Sequence, residues 1–368
     1  MAGTEITADD DEEFGESVDE MYKSLHPQVL SDFEDEMPEL WGEKWKANTT
    51  VGKLRTALLH KPGEEMLQVG EETPWEPHES SLAAWRMREQ PDLDEMVEHH
   101  YNLKDTLEAE GVDVITREPD PNDPPYQVKS IYCDDVAQPA VYGHVILRMY
   151  DNVRRGEEVP TYKTLAKNDI PVVGMITGKG MVEGGTCGWF DEKHAFIEVH
   201  VPRENTSEPE VMRANEAGHQ QLANIIKSQD PEVDIRIQSG YGETKGNIPY
   251  AMVDRHTSIG KEEWYDPHLV EWMKSEMDWN FIEPPEHLVR DQVRAFTRGP
   301  NTGVVLEPGK LLTTDQYPEA TRWFESIGLE VVEVNVESLV RPRNSGSIHC
   351  CVGSLRRDPE PEEPDTYA

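Results

Sequence analysis

The sequence predicts an α/β protein, and three observations carry that expectation. Short β-like apolar runs alternate with helical patterns from about residue 54 to residue 336, the order that argues strands and helices in one sheet system. One stretch reads as a complete ββαβ unit. Finally, Gly and Pro interrupt the apolar runs too often for a long, open, doubly wound sheet.

The ββαβ unit is the clearest. Gly303-Val304-Val305-Leu306 reads as a strand ended by the turn signal Glu307-Pro308-Gly309, and Lys310–Thr313 as a second strand. Asp315 is expected to cap a helix with Trp323 and Phe324 on one face, Gly328 closes it at C′, and Glu330–Val336 returns as a strand. Further strands are expected at Leu54–His60, Val112–Thr116, Ala140–Leu147, Pro171–Met175, Ala195–Val201, Val233–Ile237 and Tyr250–Val253, with helices at Leu93–Glu110, Glu208–Ser228 and Pro267–Asp278. Residues 1–45 read as an acidic, partly disordered extension with an amphipathic stretch around Met21, Tyr22 and Leu25. Residues 46–357 contain no linker that would divide them and read as one domain, and 358–368 as a disordered acidic tail.

The 368 residues carry 35 Lys and Arg against 73 Asp and Glu, a formal net charge of −38 and a pI near 4.6. Such a chain repels nucleic acid and anionic membrane, because phosphate binding needs clustered cations. The carboxylates are spread from end to end, as on a surface that stays solvated in concentrated salt, where charges are screened over a few ångströms; a halophilic protein is expected. Cys133, Cys187, Cys350 and Cys351 are too few for a disulfide framework in this length, and none has CxxC spacing, so no zinc site is expected. Met1 to Glu16 lacks an apolar signal core, and no apolar run approaches the roughly 18 residues of a membrane span. A cytoplasmic protein without cofactor or metal is the expectation, with room for a homo-oligomer.

Four stretches carry chemistry. Asn344 to Arg357 delivers Cys350 from a Gly- and Ser-rich turn, the flexible setting that nucleophilic catalysis by a thiolate needs; a buried strand end with inert thiols is the competing reading. Ile131 to Val136 places Asp134 and Asp135 in apolar surroundings, where they could equally form an N-cap or turn. Gly178 to Cys187 holds Glu183 in a glycine-rich loop that could also be an ordinary hairpin connection. Gly240 to Tyr250 is a second irregular segment before a strand. A thiol with two carboxylates in such loops suits a planar cation, since carboxylates bind guanidinium through paired charge-assisted hydrogen bonds.

The order of these pieces resembles the guanidino-group-modifying enzymes: arginine deiminase, dimethylarginine dimethylaminohydrolase and the amidinotransferases. The matching pieces are Val51 to Gly63, the acid pair after Tyr132, Arg154-Arg155-Gly156-Glu157-Glu158, Glu183-Gly184-Gly185 and Gly346-Ser347-Ile348-His349-Cys350. The resemblance spans roughly 46–357 and implies the pentein α/β propeller, ββαβ units around a pseudo-fivefold axis with a central active site. It implies Cys350 as the nucleophile on the guanidinium carbon, and Asp135 and Glu183 as the carboxylates that hold guanidino nitrogens. Arg154, Arg155 and Arg203 are candidates for a substrate carboxylate, and Asp134, Lys245, Asn247 and His349 for further contacts.

The departures are as informative. The family's His-x-Asp motif falls near Lys245 and Asn247, and no histidine lies between His219 and His256. That histidine supplies acid–base chemistry, a contribution of about 10²–10⁴-fold, which His256, His349 or a Lys245 of lowered pKa would have to replace. Thr186 stands where Glu-Gly-Gly continues with Asp, and Asp134-Asp135 where the family has Arg-Asp. Two functions follow: a cysteine-dependent hydrolase or amidinotransferase for a small cationic guanidino or amidino compound, or a catalytically altered pentein that binds a ligand or partner.

Overall fold

The computed structural model describes residues 31–68, 89–124, 127–150, 154–200, 213–240, 251–290 and 303–360. The chain divides into two compact units, Met1–Glu43 and Lys44–Ala368. In the first, the described residues hold one helix, α1 (Phe33–Leu40), whose first turn carries Glu34, Asp35 and Glu36 at the positive end of its dipole.

In the second unit the described strands form five open three-stranded sheets. Four follow the chain directly. In order they are β3 (Ala137–Pro139), β4 (His144–Ile146), α3 (Glu158–Lys167) and β5 (Val172–Met175); then β6 (Cys187–Asp191), β7 (His194–His200), α4 (Glu216–Gln229) and β8 (Asp234–Gly240). Next come β9 (Met252–Asp254), β10 (Thr257–Ile259), α5 (Pro267–Met277) and β11 (Asn280–Ile282). After the short helix α6 (Glu286–Arg290) follow β12 (Val304–Glu307), β13 (Lys310–Thr314), α7 (Pro318–Ser326) and β14 (Glu330–Val334). The remaining sheet joins the two ends of the unit: β1 (Leu54–His60), α2 (Leu93–Ala109) and β2 (Asp113–Arg117) receive their outer strand from β15 (Gly353–Arg357), which follows the short helix α8 (Ile348–Cys351). In every sheet the first strand is antiparallel to the second and the second parallel to the third. Each parallel pair needs a crossover, and a helix supplies it. The pattern is ββαβ repeated five times, the pentein propeller that the resemblance implied.

Local chemistry explains the repeat. α2, α4 and α5 begin on Asp92, Asn215 and Asp266, whose side chains accept from Glu95, Gly218 and His268 amides. α2 and α7 end in the same way: Gly111 (φ 79°) and Gly328 (φ 99°) take the left-handed conformation, and the next amide, of Val112 or Leu329, returns to the Leu107 or Phe324 carbonyl. The aliphatic residue after the turn is buried and immediately precedes the sheet's third strand. Three apolar clusters fill the unit, one around Phe190, Phe196, Met273 and Phe324, one around Leu54, Leu103, Leu312 and Ile348, and one around Val145, Ile197 and Leu222.

Several expectations need correction. Asp315 does not cap α7: Pro318 at the first helical position, with its preset φ, starts the helix, and Tyr317 is its N-cap residue. The run Ala140–Leu147 is not one strand, because Gly143 (φ 66°) turns it into the β3–β4 hairpin. The helix expected at Glu208–Ser228 starts at Glu216, since Asn215 caps it. The amphipathic stretch at Met21 to Leu25 lies outside the described residues.

Candidate functional site

Three of the five units contribute to one site from the same place, the turn just before the first strand. In the β3 unit it is a single 3-10 turn, Cys133–Asp135. In the β6 unit it is the turn Gly184–Thr186, with Glu183 as its N-cap residue. In the first unit it is α8, which carries His349, Cys350 and Cys351 into β15. The corresponding segments before β9 and β12, residues 241–250 and 291–302, lie outside the described residues, and Arg203, Lys245 and Asn247 do as well.

The turns are in close contact. A Cβ on Gly184 would overlap the carbonyl of Asp134, so only glycine lets the Glu183 turn approach the acid turn. Asp135 is 2% exposed. Its Oδ2 accepts from Arg154 Nη1 at 2.6 Å, while its buried Oδ1 has no hydrogen-bond partner among the described residues. Buried polar atoms are nearly always satisfied, so Oδ1 is an acceptor at which an incoming donor would fit. Glu183, 2% exposed, accepts from the Tyr150 amide at 3.0 Å, and its other oxygen lies 3.7 Å from Arg213 Nε. Cys350 is partly exposed, with Sγ 3.5 Å from Ser347 Oγ.

Burial pushes the Cys350 thiol up to about 11, and the Asp135 and Asp134 carboxylates add to this while Ser347 opposes it. In the ligand-free protein Cys350 is therefore a protonated thiol held beside negative charge. A cation placed against Asp135 would cancel the field that keeps it protonated. Cys351, by contrast, is 3% exposed, with its thiol against the Ser347 carbonyl at 3.5 Å; it packs.

Arg154 does not reach toward a substrate. It is 5% exposed, makes a paired contact with Glu157 (3.1 and 2.8 Å) and bridges to Asp135. Its part is to fix which oxygen of Asp135 stays open. Burial raises Glu157 to about 7, with Arg154 opposing that shift. Arg155 faces the Met181 sulfur at 3.6 Å. Asp134 accepts from Gln138 Nε2 at 3.1 Å and lies 3.4 Å from His349 Nδ1, so Asp134 and His349 join the acid turn to the helix that carries Cys350. His256 is not at the site. It bonds Asp191 at 3.1 Å and stacks on Trp279; Asp191 ends β6, some 13 Å along the strand from Cys187 at about 3.3 Å per residue.

Sequence reasoning missed Arg213. Its guanidinium is held cationic by Glu183 and Asp135 against the effect of burial, and its side chain keeps 31% exposure. A Cβ at Gly185 would lie 2.9 Å from Arg213 Nη1, so the second glycine makes room for it. The residue was hidden inside the span expected to be helix, whereas it stands before Asn215 in extended chain. Among the described residues, no group of three or more His, Cys, Asp or Glu side chains is placed to hold a metal ion.

No family model matches the sequence, and no curated protein matches it. Solved structures do match. Dimethylarginine dimethylaminohydrolase from Pseudomonas aeruginosa, solved with citrulline, superposes with a TM-score of 0.56 at 17% identity, over 82% of this chain and 99% of that one. The N-terminal domain of ArgZ, a cyanobacterial arginine dihydrolase, gives 0.59 at 12% identity, over 84% of this chain and 100% of that one. SxtG, an amidinotransferase of saxitoxin biosynthesis from Microseira wollei, gives 0.53 at 15%, over 88% and 99%. At these identities the shared property is the fold, and the fold is that of the guanidino-modifying penteins.

Proposed function

We propose that this chain is a cysteine-dependent enzyme acting on a C–N bond of a small guanidino or amidino compound. The observation that carries the reading is the buried Oδ1 of Asp135, without a partner among the described residues, in a site shared with Cys350 and Glu183. Asp135 and Glu183 hold the planar cation through its N–H groups, and its positive charge favours the thiolate. The thiolate adds to the central carbon. The C–N bond to the leaving amine then breaks, the amine departs with a proton, and an amidino-thio group remains on Cys350. Water or an amine adds to that carbon and the C–S bond breaks, which returns the thiol. Attack by water makes the protein a hydrolase, and attack by an amine makes it an amidinotransferase. The similarity to solved enzymes of both kinds supports the general reaction.

Mass spectrometry after exposure to 2-chloroacetamidine tests the proposal. The cationic electrophile should label Cys350 far ahead of Cys133, Cys187 and Cys351, and Cys350→Ser should abolish both labelling and turnover while Cys351→Ser spares them. Equal labelling of the thiols would favour the second reading, a pentein that binds without catalysis, whose support is the thiol's rise to about 11.

A further inference from the structure

Tyr132 stands next to the acid turn without belonging to the chemistry. Its backbone carbonyl accepts from the Asp135 amide at 3.3 Å and from Arg154 Nη2 at 3.4 Å, and its ring lies 5.7 Å below the Arg154 guanidinium. That end of the residue holds the carboxylate. The other end holds the nucleophile's turn. The hydroxyl accepts from the Gly346 amide at 2.7 Å and donates to the Leu339 carbonyl at 3.1 Å, and a Cβ on Gly346 would overlap the ring. A second tie runs parallel to it. Lys129, 2% exposed, donates to Asn344 Oδ1 at 2.5 Å, and that oxygen also accepts the Ser345 amide at 2.9 Å. The Tyr132 ring is 2% exposed, and burial raises its phenol well above the ordinary value, so the donor proton stays in place.

We infer that Tyr132 is a positioning residue: a rigid spacer whose hydroxyl sets the separation between the Cys350 sulfur and the open oxygen of Asp135. A phenylalanine would fill the same apolar space and complete the same core. The hydroxyl is what adds register, because it fastens residues 344–347 at one distance from the residue that fixes Asp135. Nucleophile and carboxylate must meet one small cation together, and an error of about 1 Å in such a pair costs on the order of a hundredfold.

This inference rests on the proposed function, and the test separates the two. The rate of Cys350 modification is measured in the full-length protein with 2-chloroacetamidine and with neutral iodoacetamide, and the ratio of the two reports how well thiol and carboxylate share a cation. A wild-type ratio near that of a free thiol would refute the functional reading itself. Given a high wild-type ratio, Tyr132→Phe should lower the amidine rate about tenfold or more, short of the loss expected for a full 1 Å error. The iodoacetamide rate should change little, and the thermal midpoint should fall only by what the two lost hydrogen bonds imply, the protein staying folded. Gly346→Ala, which keeps the hydroxyl but forces the turn off the ring, should lower the ratio as well. An unchanged ratio in either folded variant overturns the inference. Failure of both variants to fold would assign Tyr132 to stability alone and overturn it too.

Discussion

At the scale of single residues, the site is governed by which charges already have partners. Arg154 is shared by Asp135 and Glu157, all three buried. Replacing it with methionine leaves two carboxylates without their cation, and breaking a buried pair in this way costs about 3–5 kcal/mol. Urea unfolding should show that loss, and amidine labelling of Cys350 should fall with it; a surface role for Arg154 would leave both unchanged. The thiol offers a second measurement. Because burial and Asp135 hold Cys350 at about 11, its reaction with neutral iodoacetamide should climb with pH up to that value, while the cationic reagent, which brings its own counter-charge, should show a shallower rise. A plateau near pH 8 with iodoacetamide would contradict the buried, acid-flanked environment. Cys350 and Glu183 were legible as candidates because each lies in a short loop with glycine close by, and Asp135 because its acid pair stands in apolar surroundings. The partnership of Arg154 was not, since spacing alone cannot distinguish a buried ion pair from a surface arginine.

At the scale of elements, one ββαβ unit was legible in full outline because Gly309 and Gly328 punctuate it and its strands are continuous aliphatic runs. Strands of three residues, such as β10 and β11, gave too little pattern to show periodicity. β15 was missed for another reason. Its sequence, Gly-Ser-Leu-Arg-Arg, looks polar, yet Leu355 is 1% exposed and Arg357 is buried with Nη1 donating to the Gly52 and Val305 carbonyls at 2.7 and 2.9 Å. An arginine spent on backbone carbonyls reads in sequence as surface. Ending the chain after Val352 should therefore do more than trim a tail. It strips β1 of its antiparallel neighbour and leaves those carbonyls unpaired, each worth about 1–3 kcal/mol when buried. Circular dichroism should show a large fall in thermal midpoint. A truncated protein with wild-type stability would mean that β15 does not complete the first sheet.

At the scale of the whole molecule, three buried imidazoles bear on acid tolerance beside the net charge of −38. Burial lowers His60, His100 and His144 from 6.5 to about 4 each. Arg117 Nε donates to His60 Nδ1, so the ring proton sits on Nε2, facing Glu65. A histidine whose folded pKa lies below its unfolded value takes up its proton more readily when unfolded, so stability is present above pH 6.5 and lost as pH falls toward 4. The three histidines together favour a decline of unfolding free energy between these limits with a slope of as many as three protons. The buried Glu157 and Glu360 carboxyls, raised to about 7 and about 8, offset part of it, and His144→Gln should make the net decline shallower. The charge excess was plain from composition, but the three neutral histidines were not, because burial is a property of the fold. The closure of the first sheet also has a consequence in time. Leu54 pairs with Arg357 across some three hundred residues, and Cys350 lies within the last turn before that pairing. Loop closure over such a span is slow. Cys350 and β15 thus reach their places together, in one long-range pairing event.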